Sequence, residues 1–151
     1  SGIDPDRVIT PRLLLIHTLA HTLIGQFALE AGYPAAALRE RLYASEEMAG
    51  LLIYTATTDA AGSLGGVVAQ AEPGRLAASF KEALVRASWC SADPLCIESE
   101  PTGVDSLNLA ACHACVLLPE VSCEEGNVLL DRGLLIGTPE NPDIGYFSSV
   151  V

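Results

Sequence analysis

The residues best suited to chemistry are five cysteines, Cys90, Cys96, Cys112, Cys115 and Cys123, all in the second half of the chain. Their spacing is C-x5-C, an interval of fifteen residues, C-x2-C, and a last cysteine after seven more residues. A C-x2-C turn presents two sulfurs on one side of a tight loop, so both can reach one tetrahedral metal at ~2.3 Å. The fifteen-residue gap lies in the range that separates paired zinc ligands; the departure is the wide interior of the first pair. Two pairs bring four thiolates to one zinc, and the metal then orders a segment short of apolar contacts. Cys112 and Cys115 form the firmest pair, and Cys90, Cys96 and Cys123 compete for the other two places. His113, between the firm pair, should point its side chain away from their metal. Disulfides suit an oxidising compartment, against which stand an odd cysteine count and no recognisable signal peptide. A redox C-x2-C is the remaining use, and it belongs at a helix start after a strand.

Other residues carry weaker signals. His17 and His21 are one helical turn apart and share a face, a spacing that can bind metal. Thr18 follows His17, so the Glu of an H-E-x-x-H site is missing. With apolar residues on both sides, the histidines read first as hydrogen-bonded core or interface residues, and second as a metal site completed by Asp59 or Glu30. The run Asp59 to Gly66 follows a strand candidate and could cradle phosphate, but it lacks a Walker lysine and the G-x-G-x-x-G spacing. A tight connection explains Gly62, Gly65 and Gly66 equally well. No nucleophile elbow surrounds Ser63. Asn127 and Asp131, four apart after the last cysteine, suit capping of a helix or hydrogen bonding to a thiolate.

These side chains need elements to hold them. Pro11 can open a helix, with Leu13, Ile16, Ala20, Leu23, Ile24 and Phe27 at spacings of three and four. Gly32 ends it, and Pro34 to Ala44 reads as a second, shorter helix with Arg39, Glu40 and Arg41 on its polar face. Leu51 to Thr57 is the best strand candidate. A helix is predicted from about Gly74 to Ser88, with Leu76, Phe80, Ala83, Leu84 and Ala87 on one stripe. Residues 89 to 125 hold every cysteine and little periodicity. A helix or helix–strand piece is expected over Asn127 to Ile136, and a short strand over Ile144 to Val150.

Charge narrows the function. Eight Lys and Arg face nineteen Asp and Glu, for a net charge of -11. Between Arg86 and Arg132 no Lys or Arg occurs, whereas Asp93, Glu98, Glu100, Asp105, Glu120, Glu124, Glu125 and Asp131 do. Phosphate binding needs a basic face that displaces counterions, so this segment should not grip nucleic acid. The apolar fraction is 50%, yet no purely aliphatic run approaches the ~18 residues of a transmembrane helix. No membrane association is expected, and the apolar residues belong in a core or on a face covered by another part of a larger protein. The first residue is Ser, which reads as a fragment of an intracellular, cytoplasmic protein.

Several runs together resemble a known family. Ala110-Ala-Cys-His-Ala-Cys-Val-Leu-Leu-Pro-Glu-Val-Ser-Cys123 and Asn127-Val-Leu-Leu-Asp-Arg132 are similar to the zinc-binding domain of mitomycin-repair helicases, once catalogued as DUF1998. Trp89-Cys-Ser-Ala-Asp-Pro-Leu-Cys96, Leu51-Leu-Ile-Tyr54 with Gly62-Ser-Leu-Gly-Gly66, and His17-Thr-Leu-Ala-His21 extend the likeness over roughly residues 12 to 136. The C-x5-C and HTLAH elements look most like the branch found in the DISARM anti-phage defence system. In the helicase branch the first cysteine pair is more compact, so ligand roles do not transfer directly to Cys90 and Cys96. The resemblance implies a role in defence against phage DNA beside a helicase partner.

The expectation is therefore one α+β domain, residues 1–151, mostly helical around a small sheet, with a cysteine-rich lobe stapled by Zn2+. It should be a non-catalytic structural or interaction domain whose partner is a helicase subunit or other domains of its parent chain. Two alternatives stand. One is a DNA-contacting module using Arg7, Arg12, Arg39, Arg41 and Arg75; the other is a metal-dependent nuclease built on His17, His21 and Asp59.

Overall fold

A computed structural model describes residues 8–56 and 64–151. Helix α1, Pro11–Ala31, starts where the sequence places it: the Thr10 hydroxyl accepts a hydrogen bond from the Leu13 amide at 3.2 Å, and Pro11 needs no donor in the first turn. Gly32 ends it at φ 72°, a left-handed conformation that costs glycine little. The helix is long and apolar enough to cross a membrane by length and composition. In this fold it is the central helix of the core, buried along most of its length.

The segment expected as a second helix is instead a single 3-10 turn, Ala35–Ala37, followed by strand β1, Leu38–Ala44. Strand β2, Ala49–Thr55, pairs with it antiparallel from Leu38↔Thr55 to Ala44↔Ala49, close to the strand predicted over Leu51 to Thr57. The reason for the correction is a hidden period of two. Leu38 and Glu40 are buried and Leu42 half-buried on one face, but a buried Glu reads in a sequence as a solvent position. Ser45 closes the hairpin by accepting from the Met48 amide at 3.0 Å.

Helix α2, Leu64–Ala69, precedes α3, Pro73–Ala87, which lies within one residue of its predicted span at each end. Leu23, Ile24 and Phe27 of α1, Leu38 of β1 and Ala83 of α3 form the main core. Ile24 is fully buried there. Ile24→Ala is expected to cost about 2–5 kcal/mol of stability through lost burial and a residual cavity, read from the urea midpoint at unchanged slope. Glu30 is no metal ligand in this arrangement: it accepts from Ser79 Oγ at 2.6 Å and from Gln26 Nε2 at 2.6 Å, joining α3 to α1. Asp59, Gly62, Ser63 and Arg7 lie outside the described residues. Gly66 sits in α2 against Tyr33, where a Cβ would come within 3.4 Å of the ring.

After α3 the described chain is mostly irregular. Of the helix or helix–strand piece expected over Asn127 to Ile136, only a four-residue α4, Gly133–Ile136, is helical. Asn127 and Leu129 have φ of 61° and 64°, which no helix accommodates. Their backbone pairs with residues 107–110 instead: Leu129 donates to Leu107, Leu109 to Leu130 and Arg132 to Ala110, at 3.0–3.1 Å. The tail forms no strand over Ile144 to Val150. The Tyr146 and Phe147 amides donate to the carbonyls of Leu134 and Leu135 at 2.8 Å, which binds the tail to α4. The architecture is a mixed α+β fold with a two-stranded sheet and a cysteine-rich lobe.

Candidate metal centre

Four of the five cysteines meet. Cys90 and Cys96 come from the loop after α3, and Cys112 and Cys115 from the turn before the 3-10 segment Glu120–Ser122. The sulfurs of Cys90 and Cys112 are 3.5 Å apart, those of Cys96 and Cys115 3.7 Å, and those of Cys112 and Cys115 3.6 Å. All four lie within 4.8 Å of one another. A disulfide needs ~2.05 Å between sulfurs, whereas the edge of a tetrahedron with ~2.3 Å zinc–sulfur bonds is about 3.8 Å. The spacing fits a shared metal and not a disulfide, and every cysteine is free.

The backbone already solvates this cluster. The Ala92 amide donates to Cys90 Sγ at 3.4 Å and the Cys112 amide to Cys115 Sγ at 3.3 Å. Burial, reinforced by the neighbouring Cys115, pushes the Cys96 thiol up. Burial likewise pushes Cys115 up to about 11. Cys112 goes the other way, because hydrogen bonds from the Ala114 amide and the adjacent thiols outweigh its burial. Four thiols this close cannot all ionise in the absence of a cation, and a divalent metal removes that conflict.

An ion pair between fully buried Arg132 and half-buried Asp93 braces the first ligand loop. Asp93 accepts from the Cys90 amide at 2.9 Å and the Ile97 amide at 3.1 Å, and Arg132 donates to the same carboxylate. The Arg132 guanidinium, fully buried, also donates to the Ala87 carbonyl at 2.9 Å. Although burial opposes it, that guanidinium holds the Asp93 carboxyl below its ordinary value.

Cys123 is the spare cysteine. Its sulfur lies 3.2 Å from His17 Nε2, in a separate group of His17, His21, Glu40 and Cys123. His113 is exposed and belongs to neither group. Both histidines are buried in α1 and bond to backbone, as expected of core residues: His17 Nδ1 to the Leu129 carbonyl at 3.2 Å and His21 Nδ1 to the Val116 carbonyl at 2.8 Å. Asn127 does donate to a thiolate position, its amide lying 3.1 Å from Cys123 Sγ, while its side chain bonds both backbone groups of Leu118. Asp131 accepts from the Gly133 amide at 2.9 Å and so steadies the first turn of α4. Glu40 is a site residue that the sequence does not announce, since there it reads as one more charge on a polar helix face.

A small α+β unit whose irregular half converges four thiols on one point is a zinc-stapled domain by construction. The chain belongs to the family described as the MrfA Zn-binding domain, whose model matches residues 19–116 and includes all four clustered cysteines. It is also 43% identical over 138 residues to the DISARM protein DrmB of Bacillus paralicheniformis. That likeness covers 91% of this chain and 25% of the relative, so the chain spans a quarter of the length of the protein it matches. The zinc expectation and the defence-system resemblance are both upheld.

Proposed function

We propose that this chain is a non-catalytic zinc-built interaction domain of a cytoplasmic DISARM-type anti-phage protein, working beside a DNA helicase partner. The carrying observation is the four-thiol cluster of Cys90, Cys96, Cys112 and Cys115, taken as the ligands of one Zn2+. Four protein donors fill a tetrahedral shell, which suits a structural zinc and not one that activates water. The reading as a nuclease built on His17, His21 and Asp59 is disfavoured by the burial of both histidines, which leaves a substrate no access to them.

An open, mainly apolar groove of about 840 Å³ runs between α1, β2 and α3, lined by Leu19, Leu52, Leu76 and Phe80 among others. Leu52 is 49% exposed and Leu76 38% exposed. Since the matched relative is about four times as long as this segment, the occupant proposed here is another domain of the same parent chain. The test adds this chain to the Bacillus paralicheniformis relative lacking its matching segment and measures association by calorimetry. Tight association is expected, falling at least tenfold in a Leu52→Asp, Leu76→Asp variant that keeps its zinc. Association indifferent to both substitutions, or none at all, would mean that the groove does not dock the rest of the parent chain.

Direct DNA contact has little support. Arg12 donates to the carbonyls of Ser45 and Glu46, Arg39 to those of Ala36 and Leu38, and Arg41 lies 3.8 Å from Glu124. The domain alone should leave a duplex unshifted at low salt; a salt-dependent shift would favour the DNA-contacting alternative.

A further inference from the structure

We infer that His17, His21, Glu40 and Cys123 form a second zinc site, distinct from the four-cysteine cluster, which latches the cysteine-rich lobe to the helix–hairpin core. The four donor atoms, two imidazole nitrogens, one carboxylate oxygen and one sulfur, lie within 4.8 Å of one another. His17 Nε2 is 3.1 Å from Glu40 Oε1 and 3.2 Å from Cys123 Sγ, and His21 Nε2 is 3.5 Å from Glu40 Oε1. A tetrahedral zinc with ~2.0 Å bonds to N and O and ~2.3 Å to S has donor–donor edges of about 3.3–3.6 Å. The observed separations lie within about 0.3 Å of those edges, two shorter and one longer.

The hydrogen bonds around the group prepare it for a cation. Both Nδ1 atoms face backbone carbonyls and so carry a proton toward them, which turns each Nε2 inward toward the other donor atoms. Leu129, whose carbonyl serves His17, is held at φ 64°, a conformation an L residue adopts only where its surroundings enforce it. Glu40 is oriented from outside, its Oε1 accepting from the Glu124 amide at 3.0 Å. Cys123 Sγ accepts from the amides of Asn127 at 3.1 Å and Glu125 at 3.4 Å, the N–H···S bonding that a thiolate favours.

Two imidazole nitrogens, a carboxylate oxygen and the Cys123 sulfur therefore converge on one buried point, where burial and the nearby Glu40 charge push the Cys123 thiol up, so that it keeps its proton until a cation replaces it. His17, His21 and the Glu40 side chain are essentially inaccessible to water, and His21 Nε2 and Glu40 Oε2 have no hydrogen-bond partner. Protonating both rings would fill the gap but would place two buried positive charges with ring centroids 4.5 Å apart. One dication instead balances one carboxylate, one thiolate and two neutral imidazoles to zero net charge. Such a mixed N, O and S set suits zinc. With four protein donors and no access for substrate, the site would be structural. Its members come from α1, β1 and the loop after Glu120–Ser122, and His17 and Cys123 stand 106 residues apart. Both of these fall outside the family match, which begins at residue 19 and ends at residue 116.

The test is zinc content by mass spectrometry, with zinc-edge X-ray absorption, on the 151-residue chain purified under reducing conditions. Two zinc ions per chain are expected, with a shell mixing sulfur and nitrogen or oxygen. Cys123→Ser and His17→Ala should each drop the count to one and leave a sulfur-only shell. The unsubstituted chain is decisive even if a variant fails to fold, because its metal shell is read directly. One zinc per chain in a sulfur-only shell overturns the second site and leaves the four-cysteine site standing; a chain free of zinc overturns both.

Discussion

Replacing Cys112 with Ser is expected to strip the four-cysteine zinc and to melt the lobe from about residue 88 to about residue 136. The magnitude follows from what else holds that region. Its apolar packing is limited to Ala111, Val116 and Leu130 and to Val128 and Leu129 against Leu13 of α1, and α4 contributes a single turn. Zinc binding to structural cysteine sites is worth about 10–16 kcal/mol at neutral pH, as large as the whole stability of a typical domain at about 5–15 kcal/mol. A segment without strands or long helices cannot replace that with packing. The core of Leu23, Ile24, Phe27, Leu38 and Ala83 contains none of those thiols and draws only Leu118 from that segment, so it should persist and the loss is regional. Hydrogen exchange followed by mass spectrometry would show it: amides over 90–132 losing most of their protection in Cys112→Ser, and those of α3 keeping theirs. His113→Ala is the control, since that exposed ring should cost neither zinc nor protection. Wild-type zinc content and protection in Cys112→Ser would rule out the staple.

The cysteine pattern is legible in the sequence because metal geometry is written in local spacing: C-x2-C fixes two ligands within one turn, and any second pair at a workable distance must converge on it. Which cysteine stands apart is not legible. Cys123 is only eight residues from Cys115, nearer in sequence than Cys96 is to Cys112, and its true neighbours are on α1 and β1. Those contacts span the whole fold and leave no periodic trace. Helices α1 and α3 can be read from their apolar stripes and caps, and the Gly32 stop falls where a left-handed residue is needed. The β1 strand is hidden for one physical reason. Glu40 directs its charge at two buried histidines, so the position that most resembles solvent is among the deepest on that face. Likewise nothing local announces that Asn127 and Leu129 adopt left-handed backbone, because the cause is the ladder to residues 107–110 and the carbonyl contact to His17. Functional sites assembled across the fold are where residue-by-residue reading fails.

Arg132→Ala is expected to destabilise the domain by about 1.5–3 kcal/mol, the scale of a charged hydrogen bond lost where only one partner is fully buried. Arg132 is the largest fully buried side chain among the described residues, and it ties the end of α3, through the Ala87 carbonyl, to the first ligand loop, through Asp93. Removing it leaves the Asp93 carboxylate, whose other contacts are the Cys90 and Ile97 amides, without its positive partner and opens a cavity beneath the loop. The charge matters beyond that pair. Four thiolates and one zinc carry two net negative charges, and Arg132 keeps its proton more firmly, despite burial, because of Asp93 and then the thiols of Cys115 and Cys96. Lysine keeps the charge but not the planar fork that serves two acceptors at once, so Arg132→Lys should recover only part of the loss. The discriminating measurement is a double-mutant cycle in urea at fixed zinc. Arg132→Met with Asp93→Asn should cost clearly less than the two single changes summed, since the pair is then removed together. Additive effects, or an Arg132→Ala loss under ~0.5 kcal/mol, the scale of an ordinary surface change, would mean that the ion pair does not brace the zinc loop. A weakened pair should also show in the metal: each 1.4 kcal/mol lost from the preformed ligand loop lowers zinc affinity about tenfold. Arg132→Ala should therefore surrender its four-cysteine zinc to a chelator at a lower concentration than Ile24→Ala, a variant of comparable instability with its ligand loop intact.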